Sequence, residues 1–326
     1  MKVTRLAPSP TGALHLGNAR TFLLNWLLAR RNHWRILLRV EDLDGPRVKA
    51  GADRQAIHDL HWLGLDWDEG PIYQSSRNDV YAAAIERLLA TGDAYPCICS
   101  RREVEGAASA PHADDGAAVY PGTCRGRFRS LDEARACAGG REPAVRFRVP
   151  PGTTHFNDEF SGSHAIDVAG RLGDFVIAKG GGSAGAGWTP AYQLAVVVDD
   201  AEANVTDVVR GDDLLDSAPR QILVYRALGL AERVPRYYHL PLVIGPDGRR
   251  LAKRHGDTRL SYYRERGVPP GRVLALLARW SGMESVGPAA DARAVLSEML
   301  ERFTLDALPR IPITFTHDDD AWLRAG

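Results

Sequence analysis

Apolar positions along the first hundred residues follow two rhythms. Val3 to Ala7 reads as a short strand, while Leu16 to Arg30 sets Leu16, Phe22, Leu23, Trp26 and Leu27 at helical spacing, with Asn18 able to cap the start. Trp34 to Asp42, WRILLRVED, is a largely apolar run closed by two carboxylates, which predicts a buried strand. Strand, turn, helix and strand in that order open a doubly wound, Rossmann-like parallel α/β sheet. Ala50–Leu63 and Asp79–Thr91 are amphipathic and predict helices laid on that sheet.

The rhythm then changes. Tyr95 to about Asn157 is rich in Cys, Gly, Pro and Arg, and its Ala/Gly tract at Gly106–Ala118 reads as a surface loop, so the stretch predicts an inserted module. From Ile166 the α/β pattern resumes, with DFVIAKGGGSAGAG supplying a strand and then a flexible glycine tract at Gly180–Gly187. AYQLAVVVDDA and VTDVVRGDDLL are apolar runs closed by acids, and a helix is expected from about Leu214 to Leu228. YYHLPLVIGPDGRRLAKRHG predicts a strand, a turn at Gly245–Gly248 and a basic loop. Val268–Trp280 predicts a helix, the signals beyond it are weak, and no internal repeat is evident. The expected organisation is 1–94 and 163–235 as two halves of the sheet domain, 95–162 as the insertion, and 236–326 as the basic loop with a short helical region.

A hydrophobic content of 44% over 326 residues is enough for a sizeable core. Lys and Arg number 41, as do Asp and Glu, so a nucleic acid would have to be met by a local basic patch rather than by a basic protein. The start of the chain carries no apolar leader, and no apolar stretch approaches the roughly 20 residues that span a bilayer, so a cytoplasmic protein with no membrane partner is expected. The four cysteines, Cys97, Cys99, Cys124 and Cys137, fall in one neighbourhood, which suits a metal site better than a disulfide framework.

Two stretches carry the chemistry. In APSPTGALHLGNAR, Pro8 and Pro10 stiffen a turn, Gly12 and Gly17 allow close approach to the backbone, and His15 stands at a helix start whose free N–H groups and dipole favour phosphate. A plain capping turn with a satisfied histidine reads the same residues equally well. The second stretch, Arg249-Arg250-Leu251-Ala252-Lys253-Arg254, is a solvated basic loop taken alone. Together they form the pair with which class I aminoacyl-tRNA synthetases hold ATP.

RLAPSPTGALHLGNARTFLLNWLLARR, RVEDLD, AYQLAVVVDDA, VVRGDDLLDSAPRQI and LPLVIGPDGRRLAKR, in this order from Arg5 to Arg254, resemble the glutamyl-tRNA synthetase family. The resemblance implies ATP held by His15, Gly17 and Lys253, with Asn18 beside them in the catalytic set and Mg2+ on the phosphates. It also implies L-glutamate held by Arg5, Ala7, Ser9, Glu41, Tyr192 and Arg210. The physical sense is plain: two guanidiniums grip two carboxylates and one acid takes the ammonium. Asn18 replaces the second His of the family's HIGH motif, and Arg250 and Ala252 replace the Lys and Ser common in the KMSKS-type loop, which bears on the loop's affinity for ATP.

Cys97, Cys99 and Cys124 can hold Zn2+ through thiolates, and Tyr120-Pro-Gly-Thr-Cys124 resembles the Tyr-x3-Cys pair that completes such a site in part of the family. His112 or Cys137 could stand in for Tyr120. Only about 70 residues follow Arg254, too few for an anticodon-binding domain of ordinary size. That combination resembles the shortened glutamyl-queuosine tRNA(Asp) synthetases, which adenylate glutamate and attach it to the queuosine base of tRNA(Asp). The resemblance implies an anticodon loop guided by arginines such as Arg125, Arg127 and Arg129. A shortened enzyme charging tRNA(Glu) and a non-catalytic tRNA- or nucleotide-binding paralogue remain the alternatives.

Overall fold

The computed structural model describes residues 1–100, 102–104, 119–184, 187–251 and 255–325. Strand β1, Val3–Leu6, is buried along its length and runs parallel to β2, Arg35–Val40, with Arg5 opposite Leu37. Helix α1, Leu16–Arg31, makes the crossover between them and buries Leu16, Leu23, Leu24 and Leu27. Helix α2, Ala52–Trp62, leads to β3, Glu69–Tyr73, parallel to β2, and α3, Asn78–Ala90, follows. All but β3 lie within a residue or two of the predicted elements, because each has the patterned apolar face that a sheet or helix must bury, whereas β3, EGPIY, is half exposed and carries no such pattern.

The insertion is more of a β structure than its composition suggests. Strands β4 (Ala94–Cys97), β5 (Ala144–Phe147), β8 (Val176–Ala184) and β9 (Trp188–Pro190) pair antiparallel in that order. Between β5 and β8, β6 (Thr153–Asp158) and β7 (Gly162–Asp167) form a hairpin that leaves this sheet, and β6 continues the parallel sheet at Asp158 opposite Tyr237. Chain beyond position 162, where the α/β pattern was expected to resume, thus still pairs with the insertion as far as Pro190. The glycine tract forms part of β8 up to Ala184 rather than a free loop.

The parallel fold resumes at the helix Tyr192–Glu202, then β10, Asp207–Gly211, the helix Ser217–Ala227, and β11, Arg236–Leu240. Strands β10 and β11 are parallel, with Arg210 opposite His239. The Thr206 N–H donates to the Val3 carbonyl at 2.9 Å, which sets the start of β10 beside β1. From β1 the chain therefore winds one way into β2 and β3 and later the other way into β10 and β11, and the point of reversal leaves a crevice at the carboxyl ends of β1 and β10.

After β12, Val243–Ile244, helices at Leu260–Glu265, Pro270–Arg279, Ala292–Arg302 and His317–Arg324 share one apolar cluster with α1, in which Leu23 and Leu27 join Leu274, Leu277 and Met299. The last two helices begin at side-chain caps, Asp291 accepting from the Arg293 N–H and Thr316 from the Asp319 N–H. Among the described residues no helix is long and apolar enough to cross a membrane.

Candidate active site

The crevice is a cleft of about 550 Å³, and its walls gather residues that stand far apart in sequence. Arg5, Ala7, Ser9, His15, Gly17, Asn18, Glu41, Tyr192 and Arg210 all line it, together with Arg250. Arg5 and Ala7 come from the end of β1, Glu41 follows β2, and Arg210 sits on β10, so the cleft lies where an open α/β sheet presents strand ends to a ligand. Lys253, with Ala252 and Arg254, lies outside the described residues.

At one end stands the turn before α1. The Nδ1 of His15 accepts from the N–H groups of Gly17 at 3.1 Å and Asn18 at 3.4 Å, and the Asn18 side-chain oxygen accepts from the His15 N–H at 3.3 Å. The cap is therefore His15, not Asn18 as the sequence suggests; Asn18 closes the reciprocal half of a capping box. With Nδ1 acting as acceptor, the ring is neutral and its proton is on Nε2. Burial, reinforced by the charge of Arg250, lowers its pKa from 6.5 to about 4. Among the described residues no hydrogen bond uses Nε2, so capping leaves one donor for the cleft. Gly17 leaves the ring its room: a Cβ there would lie 3.1 Å from both Nδ1 and Cε1 of the imidazole, which would have to give way by a few tenths of an ångström. The turn is also zipped to the chain beyond the basic loop, the Leu16 N–H donating to Thr258 and the Leu260 N–H to Leu14.

At the other end two guanidiniums are buried, Arg5 at 4% and Arg210 at 5% exposure. Arg5 donates from Nη1 to the Val209 carbonyl at 3.4 Å, and its Nε lies 3.6 Å from Asp200. Arg210 donates from Nε to His239 Nε2 at 2.9 Å and from Nη1 to Gln221 at 3.0 Å and the Tyr192 hydroxyl at 3.4 Å. Its planar fork is thus half engaged by the protein. Nη2, buried and without a hydrogen-bond partner among the described residues, is what remains for a ligand.

Glu41 accepts from Arg39 Nη2 at 3.2 Å. Burial raises its pKa, and the charges of Arg39 and Arg5 pull it back down. Beneath lies a charged layer that sequence reasoning missed. Arg39 donates to Asp200 at 2.5 Å, and Asp199 accepts from Gln74, Arg77 and Tyr81 at 2.7 to 2.8 Å. The one visible signal was the acid pair ending AYQLAVVVDDA, which caps no surface: both aspartates are 3% exposed on the helix Tyr192–Glu202.

A second cluster lies in the insertion. The sulfurs of Cys97, Cys99 and Cys124 lie within 4.8 Å of one another, and the Tyr120 hydroxyl is 3.4 Å from Cys97 and 3.6 Å from Cys99. Three thiols and a phenol converging on one point fit the donor set of a four-coordinate metal. Arg146 supports such a set: its Nε donates to the Cys97 sulfur at 3.3 Å and its guanidinium lies 3.8 Å from the Tyr120 ring centre. Cys137 is exposed at the end of the helix Leu131–Cys137 and is not part of the cluster, and His112 lies outside the described residues. Arg125, one of the arginines expected to face an RNA, is exposed and pairs with both oxygens of Asp174 at 2.6 and 2.8 Å.

The fold and cleft define a class of protein, and comparison gives the same class: the family described as tRNA synthetases class I (E and Q), catalytic domain, matches residues 2–310, and the chain belongs to it. Two proteins described as glutamyl-Q tRNA(Asp) synthetase are similar to the chain over nearly its whole length. That of Rhodopirellula baltica is 46% identical, covering 95% of each chain, and that of Symbiobacterium thermophilum is 47% identical, covering 99% of this chain and 98% of the relative. These matches put the chain among the glutamyl-Q tRNA(Asp) synthetases. A glutamate–tRNA ligase of Citrifermentans bemidjiense is 40% identical over 98% of this chain, which covers 65% of that ligase. The crystal structure of a glutamate tRNA ligase from Elizabethkingia meningosepticum superposes with a TM-score of 0.78 at 27% identity, over 99% of this chain and 68% of that one.

Proposed function

We propose that the chain activates L-glutamate with ATP and transfers the glutamyl group to the queuosine base at the wobble position of tRNA(Asp). The observation that carries the activation step is the convergence of two buried guanidiniums and the Glu41 carboxylate on the cleft that opens at the His15 turn. In this reading Arg210 Nη2 and Arg5 take the two carboxylates of glutamate, Glu41 takes its ammonium, and Ser9, Ala7 and Tyr192 shape the pocket around its backbone. The α-carboxylate then attacks the α-phosphate of ATP in line, giving glutamyl-adenylate and pyrophosphate. The protein supplies position and charge and no covalent nucleophile.

His15 donates from Nε2 to a phosphate oxygen, and the dipole of the helix it caps favours the negative charge there, although the N–H groups of Leu16, Gly17 and Asn18 are themselves taken by Thr258 and the imidazole. Lys253 is assigned to the departing pyrophosphate. Mg2+ bound with ATP would supply charge neutralisation on the phosphates. Zn2+ held by Cys97, Cys99, Cys124 and Tyr120 would brace the insertion structurally. We assign the inserted module to the RNA and the cytoplasm as the place of reaction, with 1–94 and 163–235 as the halves of the activating domain and 236–326 as the loop and stem-contacting region.

A queuosine hydroxyl then attacks the activated carbonyl, releasing AMP. The test is incubation of labelled glutamate and ATP with tRNA(Asp), with and without queuosine, and with tRNA(Glu). Label on a base, lost when queuosine is absent, supports the reading; label on the terminal ribose of tRNA(Glu) overturns it in favour of the shortened charging enzyme. Absence of glutamate-dependent exchange between pyrophosphate and ATP would favour a non-catalytic paralogue.

A further inference from the structure

Arg210 is approached from behind by a chain of buried polar groups that no role above employs. Three neighbouring strands contribute one residue each: Asp158 ends β6, His239 lies on β11 and Arg210 on β10. All three are at most 5% exposed. Asp158 Oδ2 is 2.7 Å from His239 Nδ1 and also accepts the His239 N–H at 3.1 Å. Its other oxygen accepts the N–H groups of Phe160 and Ser161 at 3.0 and 2.7 Å. A carboxylate holding this many donors is fixed in place, and it leaves His239 no choice of tautomer. Nδ1 carries the proton, Nε2 presents a lone pair, and that lone pair receives Arg210 Nε–H at 2.9 Å. Burial keeps the ring neutral, with its pKa lowered to about 4.

We infer that Asp158 and His239 form a positioning relay that fixes the guanidinium plane of Arg210 and so sets where glutamate's carboxylate is gripped. The inference rests on the reading of the cleft as a glutamate site. A planar guanidinium has five N–H donors in one fork, and its recognition geometry is defined only when the plane is fixed. His239 takes Nε, Gln221 and the Tyr192 hydroxyl take Nη1, and Nη2 is the one buried nitrogen of the fork left without a hydrogen-bond partner among the described residues. Without the acceptor at His239 the plane can rotate about its stem, and a buried N–H loses its partner. The hairpin β6–β7, which leaves the insertion to join the parallel sheet, thereby contributes to amino-acid binding through a residue that does not line the cleft.

Two conservative variants separate this role from simple packing. His239→Gln places a side-chain oxygen near the former Nε2 and keeps an acceptor for Arg210. His239→Asn matches Nδ1, keeps a partner for Asp158 and removes the acceptor. In glutamate-dependent pyrophosphate–ATP exchange, Asn is expected to raise KM for glutamate by about 30-fold and Gln by less than about 5-fold, the span of one charge-assisted hydrogen bond, with KM for ATP unchanged in both. Equal effects of the two variants, or KM for ATP moving with KM for glutamate, overturn the relay. The 15N NMR spectrum of the unsubstituted protein tests it without activity: protonation of His239 at Nδ1 supports it, and protonation at Nε2 overturns it. No exchange in the unsubstituted protein would overturn the glutamate reading instead, leaving the NMR result to decide the relay.

Discussion

The two ends of the cleft differ in how much of their polar chemistry the protein itself already holds. At the amino-acid end, Arg39, Asp199, Asp200, His239 and Asp158 are buried and paired, and among the described residues Arg210 Nη2 is left as a buried donor without a partner. At the nucleotide end the groups are a helix start, the Nε2 of one neutral imidazole and an Arg250 that is 58% exposed in its side chain and pairs with Asp213 at 2.8 Å. A small dicarboxylic amino acid must be told from near neighbours, so its donors are fixed before it arrives. Phosphates need less exact placement, and the groups left for them are the Nε2 donor of His15, the helix dipole behind it and the exposed guanidinium of Arg250.

That contrast is broken most severely through the buried layer. Arg39→Met removes the cation shared by Asp200 and Glu41 and leaves both acids without it in a dry site. A loss of about 3–5 kcal/mol of stability is expected, read from denaturant unfolding, because an uncompensated buried charge is the costly case. Arg210→Ala works on the same end but on the ligand. It is expected to lower kcat/KM for glutamate by roughly a thousandfold while KM for ATP stays within about twofold, since a fully desolvated charge pair is lost. If both substrates suffered alike, the two ends would not be separable and the comparison would fall.

Gly17→Ala touches the nucleotide end alone. The added Cβ presses on the imidazole that caps α1, so the ring must tilt away from two backbone N–H groups. About a tenfold rise in KM for ATP is expected, with KM for glutamate unchanged, in keeping with the loss of about one cap hydrogen bond. Exchange kinetics titrated in each substrate separately check it.

Much of this contrast was legible in the sequence at the nucleotide end and little of it at the other. Proline and glycine punctuation around His15 is local, and so is the period of α1, so both could be read without the fold. The carboxylate grips Arg5 and Arg210 were reached only through family resemblance, and their supports were not reached at all. Arg39 looks like one polar residue in a strand, and His239 like a core histidine at a strand end. Their roles depend on registers between strands about 30 to 200 residues apart, as when Arg210 falls opposite His239 and the start of β10 falls beside Val3. The far edge of the insertion is hard to read for the same reason: a strand such as Val176–Ala184 has no pattern that tells which sheet will pair with it. The cysteines were legible because their ligand types fall close together along the chain.

The smallest expected effect is an absence. If His15 met phosphate as a cation, KM for ATP would climb as pH rises through 6.5, the ordinary imidazole value, because the charge would be lost there. The structure instead holds Nδ1 as an acceptor and lowers the pKa to about 4, so the ring is already neutral throughout that range and donates from Nε2. KM for ATP should therefore show no inflection near pH 6.5, once ionisation of ATP itself is subtracted. Linkage gives the opposite-facing check. A folded-state pKa below the unfolded one means that the unfolded chain takes up the proton first, so this contribution to stability is whole above pH 6.5 and is lost as pH falls towards 4. His15→Asn, whose side-chain oxygen can still accept from the helix start, should flatten that part of the melting-temperature profile while leaving the profile above pH 6.5 in place. An inflection in KM near 6.5 that disappears in this variant would mean the imidazole acts as a charge, and the two ends of the cleft would then hold their ligands by the same means.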